Sequence, residues 1–208
     1  MTRGLAALGV ELSVARREKL LAYLALLYKW NRTYRLTALA EADAIGGHLL
    51  DSLSILPFVP GGGRLLDVGS GGGTPGIPLA IVRPELSVTL LDSNAKKAAF
   101  LRQAVIELAL ENVFVHGGRV EQYHPATGFS VIVSRAFAEL GDFVALSGHL
   151  LAANGVWLAM KGVYPRDEIA RLPDTVRVEA AHRLRVPGIE GERHLVVMRM
   201  NEIGSNPH

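Results

Sequence analysis

A glycine-rich segment with an acidic residue near its start is the part of this sequence best suited to chemistry. Residues 65–82 read LLDVGSGGGTPGIPLAIV, and Gly71, Gly73 and Gly76 have the spacing G-x-G-x-x-G. Glycines let a backbone turn with positive φ and let a ligand approach without a Cβ in its way. The segment predicts a loop that holds a nucleotide-like ligand, although this spacing also fits a dinucleotide site or an empty glycine turn.

The acidic residue bears on which ligand the loop would hold. Asp67 lies two residues before Gly69 and four before Gly71, which gives the pattern acid-x-Gly-x-Gly. In a loop that binds S-adenosylmethionine there is no pyrophosphate to neutralise, so a neighbouring carboxylate is tolerated. That carboxylate can also engage the cationic methionine amine, directly or through water. The pattern therefore favours S-adenosylmethionine over a dinucleotide.

Further candidate residues follow the later apolar runs of the chain. Asp92 can accept hydrogen bonds from ribose hydroxyls, a role common to both ligand classes, or it can cap the next helix. Val120 and Glu121 stand where an adenine would lie, as an apolar contact and an acceptor for its amino group, or they form a plain surface turn. Arg135 ends the run VIVSR and is placed for a ligand or a buried acidic partner.

These residues can form one site only if the fold brings the ends of several strands together. The hydrophobic pattern predicts such a fold. Nearly continuous apolar strands alternate with helices, which indicates a parallel sheet covered on both faces. The strands are expected at 64–68, 87–92, 113–118, 129–136 and 155–162, with helices at 76–84, 94–110 and 140–151. In such open sheets, ligands bind beyond the carboxyl ends of the strands.

The end of the chain departs from this alternation. A short helix at 165–172 is followed by strands at 176–186 and 192–200, and the loop PGIEG between them is short enough for an antiparallel hairpin. We therefore expect an α/β fold of the class I S-adenosylmethionine-dependent methyltransferase type. Its Rossmann-like sheet would have seven strands, mostly parallel, with the antiparallel hairpin at the C-terminus.

Two helical patterns precede the sheet. Apolar residues recur at helical spacing from Ser13 to Asn31 and again from Glu41 to Leu56. We expect them to form an N-terminal helical lead-in, residues 1–60, packed on a methyltransferase domain, residues 61–203. Residues 204–208 are expected to be a frayed tail.

Composition limits the classes of protein that remain. The chain has 208 residues, 49% hydrophobic and 20% charged, as expected for one globular core. The absence of cysteine excludes disulfides, thiolate metal sites and cysteine nucleophiles, and it fits a reducing cytoplasm. No apolar run has the roughly 18–20 residues that span a bilayer, so we expect a cytoplasmic protein without membrane association.

Charge is unevenly distributed along the chain. Residues 1–35 contain seven basic and two acidic residues, a local balance of +5 that leaves −3 for residues 36–208. This basic segment suits contact with a polyanion, although a solvated helix face has the same composition.

A series of motifs along nearly the whole chain is similar to the bacterial small-subunit ribosomal RNA N7-guanosine methyltransferase family, also called the glucose-inhibited division protein B family. The motifs are KWNRTYRLTAL, HLLDSLSIL, LLDVGSGGGTPGIPLAIVRP, LLDSNAKKAAFLRQ, LENVFVHGGRVEQ, SRAFAEL, AMKG and PGIEGERHLVVM, in that order. The resemblance implies methyl transfer from S-adenosylmethionine to guanine N7 in the decoding region of 16S ribosomal RNA. The substrate would be the RNA or the small ribosomal subunit.

The resemblance also implies a set of cofactor contacts. Carried over by position, they fall on Gly69, Thr74, Val120, Glu121 and Arg135. Thr74 stands where the family usually has a larger apolar residue, which affects the packing of that wall.

The implied reaction has simple chemical requirements. Guanine N7 carries a lone pair and no proton, so we expect no general base, no Ser/His/Asp triad and no metal, and catalysis by orientation. The target guanine must be unpaired or extruded, because N7 is hard to reach in an RNA duplex. Candidates for the RNA or target-base face are Asn31, Arg32, His48, Asp51, Arg119 and Lys161.

Each of these candidates also has an ordinary structural alternative. Asn31 can cap the first helix, and His48 and Asp51 can bond the lead-in to the sheet. Two other functions also stay open: methylation of another RNA, a protein or a small molecule, and a non-catalytic RNA-binding or cell-division accessory role. We expect a monomer, because no long exposed apolar stripe is evident.

Overall fold

The computed structural model describes residues 1–201, and its centre is a seven-stranded sheet in the order β3-β2-β1-β4-β5-β7-β6. The strands are β1 (Gly63–Val68), β2 (Leu86–Asp92), β3 (Val113–Gly117), β4 (Phe129–Arg135), β5 (Leu151–Lys161), β6 (Val176–Arg183) and β7 (His194–Met200). β1 to β5 pair in parallel, whereas β7 is antiparallel to both β5 and β6. The predicted parallel sheet with a C-terminal antiparallel hairpin is confirmed.

The central strands are apolar throughout because both faces of the sheet are covered. Leu65 of β1 belongs to a hydrophobic cluster on one face, together with Val131 of β4. Leu66 and Ile132, the next residues along the same strands, belong to a second cluster on the other face. Successive side chains of a strand point to opposite faces, so strands buried on both sides read as unbroken apolar runs.

Within residues 1–201, seven α-helical segments accompany the sheet. They are α1 (Thr2–Ala7), α2 (Val14–Tyr34), α3 (Asp51–Leu53), α4 (Gly76–Val82), α5 (Ala95–Glu107), α6 (Leu140–Ser147) and α7 (Arg166–Ala170). Helix α1 was not predicted. α2 begins after Ser13, whose Oγ accepts the Arg16 N–H at 3.3 Å. Among residues 1–201, no helix is both long and apolar enough to cross a membrane.

The lead-in shares the core of the sheet. Tyr23 and Leu27 of α2 are fully buried in the same cluster as Leu65 and Ile77. The division into residues 1–60 and 61–203 stays a prediction, and the expected tail at 204–208 lies outside the described residues.

The helix predicted from Glu41 to Leu56 is confirmed as a helical segment from Glu41 to Leu53, but it is not one regular α-helix. The segment consists of a 3-10 turn (Glu41–Asp43), a π-helical stretch (Ile45–Leu50) and the single turn α3, and a second 3-10 turn (Leu56–Phe58) follows it. Its hydrophobic spacing suits a helix, but two adjacent glycines weaken helix formation at its middle. The Gly47 carbonyl there accepts a hydrogen bond from Arg135 of β4 at 2.8 Å. Such π-helical turns are frequent at functional sites.

Candidate active site

The glycine loop after β1 needs glycine at Gly69 for two separate reasons. Gly69 has φ +71°, a left-handed conformation that other residues rarely adopt. A Cβ at this position would also lie 2.6 Å from Cδ2 of Phe137. The loop therefore passes directly beneath the Phe137 ring, and a larger residue would displace one or the other.

The loop is held in place from two sides. Asp92 Oδ2 accepts the Gly71 N–H at 2.9 Å, and its Oδ1 accepts the Asn94 N–H at 2.8 Å. On the other side, the Tyr23 hydroxyl donates to the Gly72 carbonyl at 2.6 Å. Asn94 caps α5, so the capping role considered for Asp92 is wrong. Each Asp92 oxygen keeps a lone pair for a further donor.

Asp67 is fully buried beneath the loop and is only half satisfied. Its Oδ2 accepts the Gly76 N–H at 2.9 Å. Its Oδ1 is buried without a hydrogen-bond partner among residues 1–201. Burial raises the pKa of this carboxyl from 3.8 to about 7. An unsatisfied buried carboxylate oxygen fits a cationic ligand group such as an amine.

A first cavity, of about 350 Å³, opens beyond the carboxyl ends of β1 and β2. Five predicted residues line it, namely Gly69, Asp92, Arg119, Val120 and Glu121. Val120 is buried and gives an apolar wall, whereas Arg119 and Glu121 are exposed and face each other at 3.5 Å. The first cavity thus offers an apolar surface next to carboxylates, which suits a nucleoside.

A second cavity, of about 510 Å³, lies beside the first, beyond β4 and β5. The predicted residues His48, Asp51, Arg135 and Lys161 line it. Ala136, which has φ +53°, lines both cavities. The two spaces therefore share Ala136 as a common wall at the end of β4, and molecules bound in them would lie on either side of this residue.

Arg135 is bonded to the lead-in on one side of the second cavity. Its Nη1 donates to the Gly47 carbonyl at 2.8 Å and to Asp51 Oδ2 at 3.0 Å. The other oxygen of Asp51 accepts from Arg193 Nε at 3.1 Å. The side chain of Asp51 is only 4% exposed, so one buried carboxylate holds two guanidinium groups.

His48 and Thr37 continue this network. His48 Nδ1 lies 3.3 Å from Arg135 Nη2, and its Nε2 lies 3.1 Å from Thr37 Oγ1. Burial, and then the charge of Arg135, lower the pKa of His48 to about 4. The ring is therefore neutral at physiological pH, with Nδ1 accepting from Arg135 and Nε2 donating to Thr37. Asn31 does not cap α2; its Oδ1 accepts the Thr37 N–H at 2.9 Å.

Thr74 is the fourth residue bonded to Arg135. Its buried hydroxyl accepts from Arg135 Nη2. A polar residue at this position is explained by the guanidinium beside it, which an apolar side chain could not bond. Thr74 therefore contacts the site through Arg135.

A model of the family described as rRNA small subunit methyltransferase G matches residues 16–196. The chain belongs to the rRNA small subunit methyltransferase G family. Curated relatives named Ribosomal RNA small subunit methyltransferase G agree with this over nearly their whole length. The Neisseria meningitidis serogroup C protein is 56% identical over 197 residues, covering 94% of this chain and 95% of the relative. The Chromobacterium violaceum protein is 56% identical over 199 residues, covering 95% of each.

Solved structures with low sequence identity share the fold. The glycopeptide N-methyltransferase MtfA, complexed with S-adenosylmethionine, has a TM-score of 0.64 at 12% identity, over 74% of this chain and 88% of that chain. TrmN from Thermus thermophilus has a TM-score of 0.57 at 19% identity, over 74% of this chain and 48% of that chain. The class I methyltransferase fold expected from the sequence is confirmed.

In this family member, most basic residues of the segment 1–35 are spread along α2 and do not form one patch. α2 has 21 residues and is therefore about 30 Å long. Arg16 lies at its start, whereas Arg32 and Arg35 lie at its end. The middle and the end of α2 are both near the glycine loop: the Tyr23 hydroxyl donates to the Gly72 carbonyl at 2.6 Å, and a Cβ on Gly72 would lie 3.0 Å from Leu27 and 3.8 Å from the Leu36 carbonyl. Arg32 and Arg35 are exposed at the end of α2, so they are better placed than Arg16 for a polyanion near the loop.

Lys161 has a structural role in addition to lining the second cavity. Its Nζ donates to the Ala138 carbonyl at 2.9 Å and to Glu168 Oε2 at 2.7 Å. These bonds hold the loop after β4 and helix α7 against the end of β5. Any contact with a substrate would use the one ammonium hydrogen that remains.

Sequence reasoning missed Thr37, Phe137 and Arg193. Arg193 stands within the motif PGIEGERHLVVM, but no role was assigned to it. Antiparallel pairing of Lys161 with His194 places Arg193 at the carboxyl end of β5. Phe137 could have been suspected from SRAF, because the residues after β4 border the glycine loop.

Proposed function

We propose that this member of the rRNA small subunit methyltransferase G family transfers a methyl group from S-adenosylmethionine to N7 of a guanine in 16S ribosomal RNA. The observation that carries the proposal is the junction of two cavities at Ala136. The first cavity has the lining of a nucleoside site, and the second is lined by arginine and lysine donors. Methyl transfer needs a donor and an acceptor in contact, and this junction brings two ligand sites together.

The residues of the first cavity fit S-adenosylmethionine. Asp92 has lone pairs for ribose hydroxyls, Val120 offers an apolar face to adenine, and Glu121 is an acceptor near its amino group. Asp67 is not among the residues that line this cavity, but its Oδ1, buried beneath the loop without a partner among residues 1–201, is an acceptor for the methionine amine, directly or through water. When bound, S-adenosylmethionine supplies an electrophilic methyl group on a sulfonium centre.

The residues around the second cavity position the target instead of moving a proton. Guanine N7 attacks with its own lone pair, so no base is required at the reacting atom. His48, the histidine nearest to Arg135, is neutral and has both ring nitrogens engaged. The rate enhancement then comes from holding N7 in line with the methyl group.

The two arginines of the second cavity differ in how many of their N–H groups are already hydrogen-bonded. Arg135 uses both hydrogens of Nη1 and both of Nη2 on Gly47, Asp51, His48 and Thr74, which leaves its Nε–H. Arg193 uses its Nε on Asp51 and one Nη1 hydrogen on the Glu192 carbonyl. Three N–H groups of Arg193 thus have no bond within residues 1–201. Arg193 is therefore better equipped to bond guanine O6 or a phosphate, and Arg135 holds the frame.

The RNA side of the reaction sets one further requirement. N7 lies on the major-groove edge, which is deep and narrow in an RNA duplex. The target guanine is therefore unpaired or extruded when it enters the second cavity. A volume of about 510 Å³ is within the range of small-molecule sites, about 300–1,000 Å³.

A reconstituted reaction tests the proposal. Purified protein and S-adenosylmethionine with a labelled methyl group are incubated with naked 16S RNA and with small subunits from cells that lack the gene. Borohydride reduction and aniline cleavage then map N7-methylguanine. One methylated guanine is expected with at least one of the substrates, and Arg135→Ala should abolish it. Label on another atom, or no binding of S-adenosylmethionine by calorimetry, would refute the proposal.

A further inference from the structure

Two adjacent apolar side chains are exposed in the loop between β5 and α7. Val163 is 75% exposed and Tyr164 is 42% exposed. The other large hydrophobic residues exposed within residues 1–201 are Val14, Leu21, Tyr34, Ile106, Phe114 and Met200, and no two of them are neighbours in sequence. Isolated exposed apolar residues are ordinary in proteins, so the adjacent pair is the feature that needs an explanation.

This pair stands next to the second cavity. Lys161 and Gly162, the residues just before it, line that cavity. The Gly162 carbonyl lies 3.0 Å from Nδ1 of the buried His194. The Tyr164 ring lies 5.6 Å from the His194 ring at 79°, which supports it edge to face. The loop is therefore anchored while its apolar side chains stay in solvent.

One cation lies over the Tyr164 ring, and others line the adjoining cavity. The Arg166 guanidinium lies 5.9 Å from the centre of the Tyr164 ring. Arg193 and Lys161 line the adjoining cavity. Lys161 and Glu168 pair at 2.7 Å, so their charges offset each other, whereas Arg135 and Arg193 share the single carboxylate of Asp51. An aromatic ring with cations beside it matches the chemistry of a nucleic acid base and its phosphates.

We propose that Val163 and Tyr164 form a stacking platform for the RNA base next to the target guanine. This inference rests on the proposed function. Extrusion of the guanine leaves its neighbour without a stacking partner, and an aromatic ring at the mouth of the cavity replaces that partner. Val163 would lie beside the ring as an apolar side chain at the unstacked step, where apolar wedges insert in other nucleic-acid complexes.

A protein partner suits this surface less well. A stable protein interface buries about 800 Å² on each partner, which far exceeds what two side chains offer. A single base needs only one ring face. Continuity with the second cavity also places the platform where the neighbouring nucleotide of an extruded guanine must lie.

Steady-state kinetics with three variants tests the platform. Tyr164→Ala should raise the KM for the RNA substrate about tenfold and leave the KM for S-adenosylmethionine unchanged, because the variant loses the ring on which the base stacks. Tyr164→Phe keeps the ring and should match the parent protein. Ile106→Ala is the control, because Ile106 is 72% exposed on α5 and belongs to no proposed site.

A fluorescent base provides a readout that a loss of folding would not imitate. An RNA fragment with 2-aminopurine beside the mapped guanine should be dimmer bound to the parent protein or Tyr164→Phe than bound to Tyr164→Ala, because the tyrosine or phenylalanine ring stacks on it. Equal brightness and equal KM values would overturn the inference. A defect of Tyr164→Ala on assembled subunits but not on naked RNA would indicate a protein contact and would also overturn it. Failure of the parent protein to methylate any RNA would instead refute the proposed function.

Discussion

Asp51 Oδ2 lies 3.0 Å from Arg135 Nη1, which joins the start of α3 in the lead-in to the end of β4. The same carboxylate holds Arg193 Nε at 3.1 Å through its other oxygen. Removing one member of a buried pair leaves an uncompensated charge, at a cost of about 3–5 kcal/mol. We therefore expect Asp51→Ala to lower the free energy of unfolding by that amount in urea titrations, and to abolish methyl transfer.

An exposed ion pair serves as the control for Asp51. Glu139 pairs with Arg171 at 3.2 Å, but both side chains are more than 60% exposed. Glu139→Ala should change stability by less than about 1 kcal/mol. Similar losses in the two variants would show that burial of Asp51 does not matter.

A pair of glycine substitutions separates backbone strain from contact with Phe137. Gly69 and Gly62 have φ +71° and +77°, so alanine is strained at both, by roughly 1–2 kcal/mol. A Cβ on Gly69 would lie 2.6 Å from Phe137, whereas one on Gly62 meets nothing within 4 Å. Gly69→Ala should weaken S-adenosylmethionine binding at least tenfold by calorimetry, and Gly62→Ala should not. Equal affinities would remove the assigned role of Gly69.

The hydroxyl of Thr74 is expected to matter more than its methyl group. Thr74→Val leaves a guanidinium N–H of Arg135 without its acceptor, and an unmet bond of this kind costs about 1–3 kcal/mol. The expected result is a five- to hundredfold fall in kcat/KM. Thr74→Ser keeps the acceptor and should stay within about twofold. Full activity in the valine variant would contradict the Arg135 network.

Asp67 should make the ligand-free protein less stable as the pH rises from about 4 to 7. Burial raises the pKa of this carboxyl from 3.8 to about 7, so the folded protein keeps a proton that the unfolded chain releases in this interval. His48 has the opposite effect. Its pKa falls from 6.5 to about 4 on folding, so the unfolded chain binds the proton more readily and the protein becomes more stable as the pH rises to about 6.5.

Comparison with Asp67→Asn isolates the Asp67 contribution, since both proteins contain His48. The free energy of unfolding is measured in urea at pH 5, 6 and 7. As the pH rises, the free energy of unfolding of the parent protein should fall relative to that of Asp67→Asn. A difference that does not change with pH would show that Asp67 ionises normally in the folded state.

The sheet and the first cavity could be predicted from sequence because they depend on local patterns. Unbroken apolar runs predicted the strands, and the residues that follow β1, β2 and β3 had to meet at one edge. Gly69, Asp92 and Val120 line one cavity, as expected for residues at these strand ends, and their contact with a cofactor stays a prediction.

The second cavity could not be derived in the same way. Arg135 and Asp51 are 84 residues apart, and Arg193 and Asp51 are 142 apart. No local pattern encodes such contacts. The helical spacing from Glu41 to Leu56 also concealed the π-helical stretch, because the Gly47 carbonyl bonds a side chain from β4 that only the folded chain brings near.

The most direct test of the central claim is a map of N7-methylguanine in 16S ribosomal RNA from three strains: the parent, a deletion of this gene, and the deletion complemented with Arg135→Ala. We expect one N7-methylguanine in the parent strain that is absent from the other two. An identical map in the parent and deletion strains would contradict the account.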